Sequence, residues 1–197
     1  TLEGLKEAKR NGSKVLAITN VVGSSSAREA DNVVYTWAGP EIAVASTKAY
    51  TTQMVILYLI AIDMAYKFCK MTREEYVQDI DDLYALRPLV EKMLTYNKQI
   101  KEIANVVKTS HSMFYLGRGL DFLIAVEGAL KSKEISYIHS EAFASGELKH
   151  GTIALIEEGV PVIINLTQES LIEKSISNIK EVAARGAYII AVATEGT

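Results

Sequence analysis

Ser112-Met113-Phe114-Tyr115-Leu116 is an apolar run of strand-forming residues that empties directly into Gly117-Arg118-Gly119, and a helical pattern follows from about Phe122 to Ile138. Two further apolar runs, Val160-Pro161-Val162-Ile163-Ile164-Asn165-Leu166 and Ala187-Tyr188-Ile189-Ile190-Ala191-Val192-Ala193, flank a helical stretch over 169–185. Near-continuous apolar strands separated by helices belong in a parallel sheet covered on both faces. Open sheets of this kind gather ligands beyond the carboxyl ends of their strands, beside helix N-termini, which directs attention to the Gly-Arg-Gly turn. As a dinucleotide fingerprint the turn is weak, because the third glycine is missing from its required place.

The alternation extends upstream. Residues 1–10 are helical in composition and stop at Asn11-Gly12, a left-handed cap signal; Lys14–Asn20 and Asn32–Trp37 read as strands, with Ser24-Ser25-Ser26 capping a short helix between them. From Ala43 to about Cys69 the pattern is one long helix, apolar almost all round, as expected of a helix covered by other elements. Its longest apolar run, Met54 to Ile62, is shorter than the roughly 20 residues that span a bilayer. Thr72-Arg73-Glu74-Glu75 is a capping box that opens an amphipathic connector, bent at Pro88, with the helical register continuing over 98–108. The boundary between two α/β halves falls within this connector.

Composition bounds the function. With 197 residues, 49% hydrophobic and 23% charged, the chain has material for a substantial core and for a soluble protein. The 21 basic and 24 acidic residues leave a net charge of −3, which excludes a basic field that would gather nucleic acid or an anionic membrane. One cysteine, Cys69, excludes an internal disulfide and a multi-cysteine metal site and points to a reducing, cytoplasmic setting. No targeting pattern opens the chain, and residues 1–10, helical in composition and without an initiator Met, are expected to lie inside a domain.

Three constellations bear on chemistry. Glu127, Lys131 and Glu134 stand at i, i+4 and i+7, so a helix puts two carboxylates and an ammonium on one face; the same spacing also makes plain solvated ion-pair ladders. The opposite face, with Leu123, Val126, Leu130 and Ile135, reads as core. His139-Ser140-Glu141-Ala142-Phe143-Ala144-Ser145-Gly146-Glu147-Leu148-Lys149-His150-Gly151 crowds imidazoles, carboxylates and a lysine into a stretch with no strand pattern, a density suited to proton shuttling. A zinc site at His139 and Glu141 lacks the cysteine pair that deaminase-type sites need, and metal is set aside. Gly39–Tyr50 leaves a strand and opens a helix, with Ser46, Thr47 and early backbone N–H groups available to a ligand hydroxyl or phosphate, or serving merely as helix-start residues.

Val44-Ala45-Ser46-Thr47-Lys48-Ala49-Tyr50-Thr51-Thr52-Gln53 and Lys131-Ser132-Lys133-Glu134-Ile135-Ser136-Tyr137-Ile138-His139, continued by Gly146-Glu147-Leu148-Lys149-His150-Gly151, closely resemble the isomerase part of glutamine–fructose-6-phosphate aminotransferases. The likeness runs over essentially the whole chain. It implies an α/β fold of two sugar isomerase (SIS) subdomains, each a three-layer α/β/α unit with a parallel sheet, both incomplete here. Residues 1–70 would be the C-terminal part of the first, 71–108 a helical connector and 109–197 most of the second. The implied reaction converts fructose 6-phosphate and glutamine-derived ammonia to glucosamine 6-phosphate, without metal or organic cofactor. Glu134 would move a proton between C1 and C2, Lys131 would assist at the sugar oxygens, and His150 would open the ring in the site of a neighbouring subunit. Val44 and Ser46 match residues lining the sugar pocket. The implied partners are a glutaminase domain of the parent chain and a second copy in a homodimer.

The departures bound the expectation. The family's Ser/Thr-rich phosphate loop would precede Thr1, its Schiff-base lysine would follow Thr197, and its glutaminase domain with an N-terminal cysteine is not in this sequence. Thr152 stands where the family usually has proline after the His-Gly pair. The chain by itself is therefore expected to bind fructose 6-phosphate weakly and not to isomerise it. The rival readings are another SIS protein acting on a sugar adduct, such as a deglycase, and a regulatory SIS module that senses a sugar phosphate without catalysis.

Overall fold

Strands β1 (Leu16–Thr19) and β2 (Asn32–Tyr35) pair in parallel, Leu16 opposite Asn32 and Thr19 opposite Tyr35, in a computed structural model that describes residues 1–196. The chain divides into two compact units, Thr1–Tyr96 and the residues from Asn97 onward. In the first unit, α1 (Leu2–Arg10) ends at Asn11, and Gly12 takes the left-handed φ of 80° that its cap signal predicts. The Ser24 hydroxyl accepts from the Ala27 N–H at 3.3 Å and starts α2 (Ser25–Glu29). Asp31 accepts the Val15 N–H at 2.8 Å, and this bond is the main cause holding its carboxyl below the usual range.

Helix α3 (Lys48–Lys67) begins five residues later than the pattern predicts. The segment before it is tied outside the helix: Glu41 accepts the Ala49 N–H at 3.2 Å and the Lys48 ammonium donates to the Pro40 carbonyl at 2.6 Å. The cover expected for α3 is not there. Ile62 is its one buried residue among those described, while Val55, Leu57, Tyr58, Leu59, Met64 and Tyr66 are exposed. Its neighbours, β1 and the next helix, shield too little of a surface that is apolar all round. By length and composition α3 is long and apolar enough to cross a membrane, which the shorter Met54–Ile62 run did not indicate. The predicted capping box opens α4 (Arg73–Leu94): Thr72 Oγ1 accepts the Glu75 N–H and Glu75 accepts the Thr72 N–H at 2.7 Å. The helix is continuous through Pro88.

The second unit opens with α5 (Asn97–Val107) and builds a four-stranded, all-parallel sheet. Strand β3 (Ser112–Gly117) leads into α6 (Leu120–Ser136), which returns to β4 (His139–Ala144); β5 (Pro161–Leu166) leads into α7 (Ile172–Ala183) and β6 (Tyr188–Ala193). The order across the sheet is β4-β3-β5-β6. The two crossovers step in opposite directions from the centre, so right-handed connections put α6 and α7 on opposite faces. Strand alternation agrees. Phe114 and Leu116 join Val162, Ile164, Leu166 and Val182 in the core beneath α7, whereas Tyr115 points to α6, its ring against Gly128 and its hydroxyl bonded to Ser132.

Two expectations fail in this unit. His139–Ala144 is a strand, pairing Ser112 with His139 and Gly117 with Ala144; as an edge strand it carries polar and small residues in place of the β-branched run that signals a buried one. Leu123, Val126, Leu130 and Ile135 are exposed instead of forming core. The face of α6 that meets the sheet is made of small residues, Ala125, Gly128 and Ala129, which allow close approach.

Candidate functional site

The later turns of α6 bring the predicted charges together. Lys131 Nζ lies 2.7 Å from Glu134 Oε2 and 3.4 Å from Glu127 Oε1, and all three side chains are about a quarter exposed or less than a third. The hydrogen bond to Glu134, aided by the charge of Glu127 and opposed by partial burial, raises the lysine above its usual value, so it is an ammonium throughout the physiological range. The helix stops one residue past Ser136, where Tyr137 adopts a left-handed φ of 61° and caps it. This sharp stop sends the chain into β4.

Beyond β4 the chain makes a 3-10 turn, Ser145–His150. Leu148 plugs it into the α7-side core with 0% exposure, leaving Lys149 and His150 at the surface, and Gly151 turns the chain away at a φ of 136° that a side chain would resist. Lys149 Nζ reaches Glu181 Oε1 on α7 at 2.9 Å. Among the described residues, no hydrogen bond or ion pair joins His150 to Glu127, Lys131 or Glu134.

The strand order reverses between β3 and β5, and the crevice past their carboxyl ends is where a doubly wound sheet receives ligands. Here the protein's own groups occupy it. Gln168 donates to the Arg118 carbonyl at 2.6 Å and lies over Gly119, where a Cβ would meet its amide oxygen at 2.9 Å. The buried Asp121 carboxylate accepts the Thr167 N–H at 3.0 Å and the Thr167 hydroxyl, and Asn165 donates to the Asp121 carbonyl at 3.1 Å. The Arg118 guanidinium turns sideways, to Asn178 Oδ1 at 2.8 Å. The Gly-Arg-Gly turn is thereby a fixed joint.

In the first unit, Val44 is 92% exposed and Ser46 is half-buried beside the buried Ala45, all in the irregular segment before α3. One early N–H of that helix, on Ala49, is already taken by Glu41. No group of three His, Cys, Asp or Glu side chains suited to a metal occurs among the described residues.

The model of the SIS domain matches residues 1–63 and 107–197, one stretch in each unit. The chain belongs to the SIS domain family. Curated SIS relatives include the glutamine–fructose-6-phosphate aminotransferases (isomerizing) of Caldanaerobacter subterraneus subsp. tengcongensis, 58% identical over 196 residues, and of Clostridium tetani, 54% identical over 196 residues. Each match covers 100% of this chain and 32% of the relative, so the chain spans about a third of the length of these proteins. Among solved structures, the C-terminal domain of glucosamine-fructose-6-phosphate aminotransferase from Francisella tularensis superposes with a TM-score of 0.96 at 40% identity, over 99% of this chain and 55% of that one. A phosphosugar isomerase structure from Silicibacter pomeroyi reaches 0.78 at 28% identity, over 100% of this chain and 57% of that one.

Within the SIS fold, the sequence pattern picked out Lys131 and Glu134 as neighbours, and it kept Arg118 in view only as part of a turn. It gave no sign of Asp121, Gln168, Asn178 or Glu181. Their partners lie across the sheet, as far as 60 positions away for Arg118 and Asn178, and helical or strand periodicity carries no information about such pairs.

Proposed function

We propose that this SIS chain is part of the isomerase of a glutamine-dependent enzyme that makes glucosamine 6-phosphate from fructose 6-phosphate, with ammonia supplied by a separate glutaminase domain. The observation that carries the reading is the Lys131 ammonium bonded to Glu134 and flanked by Glu127 on one face of α6, in a chain so similar to aminotransferases of that name.

Shifting a ketose to an aldose requires a base over the C1–C2 bond and a positive group beside the oxygen that gains charge. Glu134 is the base. Once ammonia has condensed at the C2 carbonyl with loss of water, Glu134 removes a proton from C1, leaving the electron pair in an enamine-like intermediate, and returns the proton to C2, so the shift is neutral in protons and electrons. Lys131, held as an ammonium, stabilises the developing oxyanion. His150, exposed at the end of its turn, moves the protons that open the sugar ring, reaching into the site of a second copy in a homodimer. Val44 and Ser46 line the sugar pocket. The reading invokes no metal or organic cofactor, no nucleic acid and no membrane, and it places the enzyme in the cytoplasm.

The test is solvent deuterium incorporation into fructose 6-phosphate by the full-length protein, together with glucosamine 6-phosphate formation from glutamine. Glu134→Gln is expected to abolish both to within background. Wild-type incorporation by this variant would remove Glu134 from the mechanism, and an inert wild-type protein would refute the assignment.

A further inference from the structure

Arg118 lies in the joint that begins α6, the helix of Lys131 and Glu134, yet its guanidinium serves another element. Its Nη2 donates to Asn178 Oδ1 at 2.8 Å, and Asn178 Nδ2 donates in turn to Glu181 Oε2 at 3.3 Å. That orientation of the amide is the one that satisfies both neighbours, an acceptor toward the cation and a donor toward the carboxylate. Glu181 Oε1 then holds Lys149, the residue before His150, at 2.9 Å. The guanidinium also bears on the same turn from the other end: a Cβ on Gly146 would meet Arg118 Nη1 at 3.4 Å. The turn carrying His150 is thus held at Lys149 by one polar chain that starts at the root of α6, and the guanidinium of that chain lies beside Gly146.

We infer that Arg118, Asn178 and Glu181 are positioning residues that fix the His150 turn on the second unit, and so the direction in which His150 is presented to the neighbouring copy's site. The catalytic consequence rests on the isomerase reading; the mechanical one does not. A role in plain stability explains the chain poorly. Asn178 is 4% exposed in the middle of α7, and Arg118 Nε and Ser145 Oγ are buried with no partner among the described residues. The inner part of the network, at Arg118 Nε and Asn178, is buried and only partly satisfied; it costs stability that an apolar core of the same shape would keep, whereas it fixes direction as an apolar core does not. Leu148 already anchors the turn in depth; the polar chain fixes its sideways placement.

The experiment compares wild type, Glu181→Gln and Asn178→Leu in the full-length protein, by amide hydrogen exchange and by steady-state kinetics with fructose 6-phosphate. Glu181→Gln removes the charge that holds Lys149 and keeps the size. It is expected to speed exchange over residues 146–150 about two- to fivefold while α6 is unchanged. The same variant should lower kcat about three- to tenfold at constant KM, the signature of a displaced group that acts after binding. Asn178→Leu should enlarge both effects, and the swap Lys149→Glu with Glu181→Lys should restore them in part. Unaltered exchange over 146–150 in Glu181→Gln overturns the inference, as does a loosened turn with wild-type kcat in an active enzyme. If the wild-type protein has no isomerase activity, the isomerase reading fails separately, and the exchange result alone decides whether the chain positions the turn.

Discussion

Lys131 and Glu134 sit one helical turn apart with Nζ and Oε2 at 2.7 Å, and Glu127 approaches the same ammonium from the turn before at 3.4 Å. One cation therefore serves two carboxylates. If the isomerase proposal holds, Lys131→Met lowers kcat/KM for fructose 6-phosphate about a hundredfold or more in the full-length protein, with unchanged circular dichroism, because the face is partly solvated and stability depends little on it. Since the bond to Glu134 raises the lysine, activity should show no limb from Lys131 deprotonation anywhere in the neutral range. Retained activity in Lys131→Met would take the ammonium out of the reaction.

Leu148 and Leu123 offer a paired measurement. Leu148 has 0% exposure and plugs the His150 turn into the core, whereas Leu123 on α6 is 58% exposed. Leu148→Ala should cost about 2–5 kcal/mol in urea denaturation, from lost apolar transfer and the cavity left behind. Leu123→Ala should stay within about 1 kcal/mol of wild type. Equal losses would mean that α6 is covered on its outer face in solution.

Gly117 is the closest approach in the second unit. A Cβ there would lie 2.4 Å from the Asp121 carbonyl carbon and oxygen and 2.5 Å from the Phe122 nitrogen, all backbone atoms that cannot rotate aside. Gly117→Ala must shift the first turn of α6, and a loss of about 1–3 kcal/mol is expected in thermal or chemical unfolding. Exchange should rise first at the start of α6.

The Glu181 carboxyl is held below its ordinary value, chiefly by the hydrogen bond from Lys149, with burial opposing and Asn178 adding to the shift. A depressed carboxyl contributes stability that is complete above its unfolded value of about 4.3 and is lost as pH falls through the lower folded value. Exchange protection over 146–150, corrected for intrinsic rates, should therefore hold steady above pH 5 and fall below about pH 4. Glu181→Gln should flatten that dependence.

The parallel architecture was legible because β3, β5 and β6 are apolar runs between helical stretches, and Lys131 with Glu134 because helical spacing alone makes them neighbours. Strand β4 was hidden, since His139, Ser140 and Glu141 suit an edge where one flank has no partner. The exposed face of α6 was misread for a related reason: Leu123 and Leu130 look like core, yet Ala125 and Ala129 are small enough to let the helix settle closely on the sheet. Periodicity ranks residues by hydrophobicity, and here the packing followed size. The joint between Arg118 and Asn178 spans separate elements and leaves no local trace.

Gln168 lying across Gly119, with Asp121 clasping Thr167, has a consequence for selectivity. A small anionic molecule directed at the strand ends of the second unit would have to displace an amide already bonded to the Arg118 carbonyl and would meet the Asp121 carboxylate behind it. It would trade a satisfied bond for electrostatic repulsion. That end of the sheet is its own ligand, and a chemist seeking to block this protein has little to gain there.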